Sequence, residues 1–143
     1  MQQITIRIDA IPVAQPRQRH RVIQANGRAF ATNYLPKSDP VNTFKAACQM
    51  TVSSLNIDLI TEPVIVDFVF VMPRPKRLDG KTKPQGRVPH GSKPDKDNLA
   101  KSVFDSLNGI LWRDDSLIYD GRLAKFYAAK NENPHVELTI WKE

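Results

Sequence analysis

The stretch "EPVIVDFVFVMP", residues 62–73, decides the fold. In an extended chain successive side chains alternate between faces. Val64, Val66, Phe68 and Phe70 then share one face, and Ile65, Val69 and Val71 keep the other largely apolar. Only Asp67 interrupts. A strand that is apolar on both faces is expected at the centre of a sheet, covered on both sides.

Upstream, "QQITIRIDAIPV" alternates Ile4, Ile6 and Ile8 with Thr5 and Arg7 and ends at Pro12, the pattern of a half-buried strand. "QANGRAF" carries Asn26-Gly27, a hairpin signal between two short strands. "YLPKSDPVNTFKAACQMTVSSL" predicts a loop and then a helix. Asp39 or Ser38 is its cap, Pro40 lies in its first turn, and Phe44, Ala47, Cys48, Met50 and Val52 form its apolar body. Downstream, Leu99, Val103, Phe104 and Leu107 fall on one face of a second helix, which Asn108-Gly109 stops. "LIYDGRLAKFYA" predicts a strand with an irregular point at Gly121, and "HVELTIW" a last, cleanly alternating one. The order β-β-β-α-β-α-β-β predicts an α+β fold: a single domain over residues 1–143, one mixed sheet with two helices packed on it.

The 143 residues are enough to bury a real core, and 41% hydrophobic with 25% charged residues is ordinary for a soluble protein. The net charge of +6 favours a polyanion as partner, nucleic acid first. Arg17, Arg19 and Arg21 cluster near the N-terminus. Residues 73–94, "PRPKRLDGKTKPQGRVPHGSKP", form a Pro/Gly-rich basic segment without apolar periodicity, expected to be a mobile loop. Arg74, Lys76, Arg77, Lys81, Lys83, Arg87 and Lys93 make it the second candidate DNA-binding region. Cys48 is the single cysteine, so no intrachain disulfide forms, and it reads as buried in the first helix. Neither a signal peptide nor a membrane-spanning apolar run is evident, so no membrane partner is expected and the cytoplasm is the expected compartment.

Against this basic background, "KPDKDNLAKSVFDSLNGILWRDDS", residues 93–116, groups its carboxylates as Asp95/Asp97 and Asp114/Asp115, with Asp105 between. Asp95 and Asp97, two apart before the helix, are expected to converge just outside its N-terminus, the helix beginning near Asp97. If the strand after the helix packs beside the helix start, Asp114 or Asp115 swings into the same point. Such carboxylates repel one another unless protonated or bridged by a cation. Hard oxygen ligands with open positions suit Mg²⁺, which also takes substrate phosphate. Lys101, one turn after Asp97, is placed to contact a phosphate or developing negative charge. Each piece has a plainer reading: Asp97 as a cap, Asp97 and Lys101 as a solvated pair, Asp114-Asp115-Ser116 as a polar turn. Trp112 reads as a core anchor rather than a base-stacking residue. His20 and His90 lie in basic segments, where phosphate contact is the weaker reading.

The conjunction "PDKDNLAKSVFDSLNGILWRDD" resembles the signature of the RusA family of Holliday junction resolvases, often carried by prophages. The resemblance rests on Asp95, Asp97, Asn98, Leu99, Lys101, Phe104, Asp105, Leu107, Gly109, Trp112, Asp114 and Asp115. It implies a homodimer that cuts two opposed strands of a four-way DNA junction, using Mg²⁺ or, in its place, Mn²⁺. By position it puts the essential carboxylates and metal ligands on Asp95, Asp97 and Asp115, with Asp114 as a further candidate ligand, and the catalytic lysine on Lys101. The basic segment 73–94 is longer and richer in Pro and Gly than the resemblance leads one to expect. Two other classes remain open: a non-catalytic DNA-binding module, and a Mg²⁺-dependent nuclease of other branched or single-stranded DNA.

Overall fold

The structure, a computed structural model, describes the backbone of residues 1–16, 19–25, 28–34 and 39–143, with side chains described outside residues 17–38. The expected strand is β4, Val64–Met72. β1 is Gln2–Ile8, β2 Arg19–Ala25, β3 Arg28–Tyr34, α1 Pro40–Ser53, β5 Val88–Pro89, α2 Lys96–Leu107, β6 Ile118–Asp120, β7 Leu123–Tyr127 and β8 His135–Lys142. A mixed six-stranded sheet runs β1-β8-β4-β7-β5, with β6 pairing β4. β8 lies antiparallel to both β1 and β4, whereas β7 lies parallel to β4. β2 and β3 form a separate two-stranded antiparallel sheet, closed at Ala25↔Arg28. The hairpin signal Asn26-Gly27 itself, like Ser38, lies outside the described residues.

One face of β4 is fully buried: Val64, Val66, Phe68 and Phe70 are all at most 1% exposed. They pack with Leu99, Val103 and Leu107 of α2, Phe44, Cys48 and Val52 of α1, and Val136, Leu138 and Ile140 of β8. Phe68 stacks on Phe70 and meets the edge of Phe104. The second face departs from expectation. Ile65, Asp67 and Val69 are only half-buried and the helices cover one side of the sheet, although Val71 on this face is wholly buried as expected. Asp67 has a definite task there. Its Oδ1 accepts the Arg122 amide at 2.8 Å, where the chain passes from β6 to β7. That passage is why one expected strand became two. Gly121 sits in it with φ +142°, hard against the Val66 carbonyl.

Asp39 caps α1 by accepting the Val41 amide at 3.0 Å, and Pro40 opens the helix. Its buried stripe is Val41, Phe44, Cys48 and Val52, the 3–4 spacing of one helical face. Met50 falls off that stripe and is 74% exposed, against the expectation that it joins the core. Burial pushes the Cys48 thiol up to about 11. α2 ends as expected: Asn108 is its C-cap and Gly109 follows at φ +79°. Trp112 is wholly buried and donates its indole N–H to Asn108 Oδ1 at 2.9 Å, the core anchor expected of it. No helix among the described residues is long and apolar enough to cross a membrane.

Candidate functional site

α2 begins two residues earlier than the sequence suggests. Asp95, not Asp97, holds the cap position, and its carbonyl accepts the Leu99 amide at 3.1 Å. Its side chain makes no capping hydrogen bond. Asp97 lies in the first turn, exposed. Both carboxylates line an open pocket of about 560 Å³ with Gly91, Ser92, Lys93, Lys96 and Lys125. The start of a helix is electropositive, which favours ionised carboxylates there. The Lys93 ammonium lies 3.2 Å from Asp95 Oδ1, so Asp95 already faces a cation from its own chain.

Two further elements build this pocket. The segment before Asp95 runs beside β7, where the His90 amide donates to the Lys125 carbonyl at 3.2 Å. The Lys125 ammonium then donates to the carbonyls of Ser92 and Pro94, the latter at 2.7 Å. Next to it, His90 is buried, with its ring centroid 4.4 Å from that of Tyr127. The Tyr127 hydroxyl is 3.2 Å from Ser92 Oγ and accepts from Arg77 at 3.3 Å. The Ser92 hydrogen bond holds the Tyr127 phenol below its usual range, while burial depresses His90. Lys125 and Tyr127 went unnoticed in the sequence; the available signal was a lone cation in the apolar-aromatic run "LAKFY".

Asp114 and Asp115 lie elsewhere. Asp115 Oδ2 is 3.4 Å from Asn108 Nδ2, at the C-terminal end of α2. From Asp97 to Asn108 a helix rises about 16 Å. Asp114 is spent locally: it caps the 3-10 turn Asp115–Leu117 by accepting the Ser116 amide at 3.0 Å, and the Ser116 side chain first, then that amide, hold its carboxyl below the usual range. The expected meeting of both acidic pairs at one point therefore does not occur within one chain. The reason is the turn after α2. Leu111 bonds back to Leu107, Gly109 to Trp112, and Trp112 to Asn108, so the turn stays folded against the helix end it left. Among the described residues, no three His, Cys, Asp or Glu side chains converge as a metal cluster. Lys101 pairs with Asp105 at 3.5 Å rather than with Asp97.

The candidate DNA contacts divide sharply. Lys76, Arg77, Lys81 and Lys83 are exposed. Arg74 turns inward: its guanidinium donates to the carbonyls of Leu78, Pro84, Gly86 and Ala128, and its Nε lies 3.5 Å from Asp79. Arg87 is held by Glu132 at 2.8 Å and Glu137 at 2.6 Å, and Glu137 also meets the buried His135 at 2.6 Å. These two arginines fasten the basic segment to the sheet, so it is a built loop with a 3-10 turn at Lys76–Leu78 and a short strand. Arg19 and Arg21 lie on β2 with side chains outside the description, and Arg17 lies outside the described residues altogether.

Comparison with known proteins adds a second line. The chain is 33% identical over 137 residues to "Uncharacterized protein YqaN" of Bacillus subtilis (strain 168), covering 90% of this chain and 89% of that protein. The family model "Endodeoxyribonuclease RusA" matches residues 10–141. That match takes in both helices, the acidic pocket at the start of α2 and the sheet up to Trp141 in β8, leaving out β1. The chain therefore belongs to the RusA endodeoxyribonuclease family.

Proposed function

We propose that this protein is a Mg²⁺-dependent endonuclease that resolves four-way DNA junctions by paired cleavage, acting as a homodimer. The observation that carries the reading is the pair Asp95 and Asp97, side by side at the electropositive start of α2, with no capping bond to Asp95. Two exposed carboxylates and an open pocket fit Mg²⁺, which binds through one or two carboxylates, keeps several waters and takes substrate phosphate as a further ligand. The Lys93 ammonium beside Asp95 marks where a cation is favoured. When bound there, Mg²⁺, or Mn²⁺ in its place, polarises the scissile phosphodiester and lowers the pKa of a bound water.

The chain's own residues do the rest. Asp95 and Asp97 hold and orient the metal. Exposed Lys76, Arg77, Lys81 and Lys83 draw in the phosphate backbone, giving strongly salt-dependent binding. Lys101, pivoting from its exposed pair with Asp105, reaches a phosphate near the cut. Asp115, about one helix length from Asp97 in its own chain, serves as a ligand from a second copy. A two-fold dimer also matches a two-fold junction. Incubation with a synthetic four-way junction is the test. Paired nicks that need Mg²⁺, and that Asp97→Asn abolishes with junction binding retained, are the expected outcome. Cleavage by Asp97→Asn at the wild-type rate would refute the assignment. Equal cutting of a flap or of single strands would transfer it to another branched-DNA nuclease.

A further inference from the structure

Among the described residues, Lys125 is the one cation lining the acidic pocket that comes from a strand: Lys93 and Lys96 belong to the segment that carries Asp95 and Asp97. It is half-buried, and its ammonium donates to the carbonyls of both Ser92 and Pro94. Those carbonyls flank Lys93 and end one residue before Asp95. The same stretch is tied to β7 by the His90 amide on the Lys125 carbonyl. On its other side, the Gln15 amide bonds the Asn98 carbonyl at 3.0 Å, which holds the first turn of α2. Among the described residues, the carboxylate of Asp95 itself makes no capping bond to the backbone. Beyond the exposed Lys93 ammonium beside it, what fixes its direction is the path of the chain entering the helix, and Lys125 holds that path.

We propose that Lys125 is a positioning residue for the metal-binding carboxylates: it clamps the Ser92 and Pro94 carbonyls so that Asp95 is presented beside Asp97 in binding geometry. This rests on the metal-binding reading of the pocket given above. The role has a distinctive sign. A positive charge lining an acidic pocket opposes a divalent cation, so on electrostatics alone its removal tightens metal binding. A clamp predicts the reverse, because partners that orient metal ligands are worth roughly 10-fold or more in metal affinity.

The experiment measures Mn²⁺ binding to the full chain without DNA, from the loss of the free-ion electron paramagnetic resonance signal. Lys125→Met, which keeps the stem as far as Cε and removes the donors, should bind Mn²⁺ about 10-fold more weakly than wild type. Lys93→Gln removes the cation facing Asp95 without touching the clamp, and should bind more tightly. Lys125→Arg retains donors for both carbonyls and should recover most of the affinity. Should the Met variant fail to fold by circular dichroism, the Arg variant decides alone, and a 10-fold loss in it overturns the clamp. Tighter or unchanged Mn²⁺ binding by folded Lys125→Met overturns it as well, while Asp97→Asn still weakens binding. If Asp97→Asn binds Mn²⁺ as wild type does, the metal reading fails and the clamp falls with it.

Discussion

A methyl group at position 121 has nowhere to go. A Cβ built on Gly121 would lie 1.8 Å from the Val66 carbonyl oxygen, backbone of the central strand, and the residue's φ of +142° is itself one that side chains avoid. Neither neighbour can yield, since Val66 is buried in the core and the adjoining Arg122 amide is bonded to Asp67. Gly121→Ala is therefore expected to cost about 4 kcal/mol or more, at the severe end for a single substitution. Thermal unfolding should show a melting temperature lower by roughly 10 °C. A change of a degree or two would mean that the β6–β7 passage relaxes freely. Gly109, with its φ of +79° but open space around the missing Cβ, should tolerate alanine far better, losing about 1 kcal/mol. The contrast separates a glycine required by contact from one required by backbone conformation alone.

At the scale of elements, the basic loop owes its shape to two arginines that bond to the protein itself: Arg74 turned inward, and Arg87 paired with Glu132 and Glu137 at the surface. Arg87 shows this through pH. Its hydrogen bond is the main reason Glu132 is held down to about 2 from 4.5. A carboxyl depressed by folding contributes stability above its ordinary pKa, lost as pH falls from 4.5 toward 2. Arg87→Met should thus melt lower than wild type near neutral pH, by about 1 kcal/mol for so exposed a pair. The gap should close as the pH is lowered through that window; a constant gap would assign the loss to packing of the arginine stem instead. Charge composition could not reveal this, because a sequence does not say whether a guanidinium meets phosphate or the carbonyls of its own loop. What was legible had a period: β4 and β8 by alternation, the buried stripe of α2 by its 3–4 spacing; the start of α1 was legible by Asp39 and the end of α2 by Asn108-Gly109. Met50 broke the pattern because apolar character alone does not put a side chain on the buried stripe. The pocket of Asp95 and Asp97 was legible because it is local, two residues apart at one helix start. The place of Asp115 was not, because it depends on which way the chain turns after α2, and besides its local bonds that turn is held by distant Ile60, whose amide bonds the Leu111 carbonyl and whose carbonyl accepts the Arg113 amide.

For the whole molecule, the separation of the two acidic groups makes a definite claim about stoichiometry. If Asp115 serves the metal site from a second copy, each site of a dimer draws Asp95 and Asp97 from one chain and Asp115 from the other. An Asp97→Asn homodimer then has two dead sites, and so does an Asp115→Asn homodimer. A mixed dimer of the two variants differs. One of its sites loses both groups, but the other combines the intact Asp95 and Asp97 of one chain with the intact Asp115 of its partner. Co-expression with two different tags and sequential purification isolates that species. On a four-way junction with Mg²⁺ it should nick one strand and leave the opposed strand whole, where the wild type cuts both and each variant alone cuts neither. Were the site confined to a single chain, both sites of the mixed dimer would lack one ligand, and no nick would appear. An Asp115→Asn homodimer that cuts normally would remove Asp115 from the site altogether. The assay depends on no assumption about where the copies touch. It needs only that α2, a rigid rod of twelve residues, keeps its two ends apart.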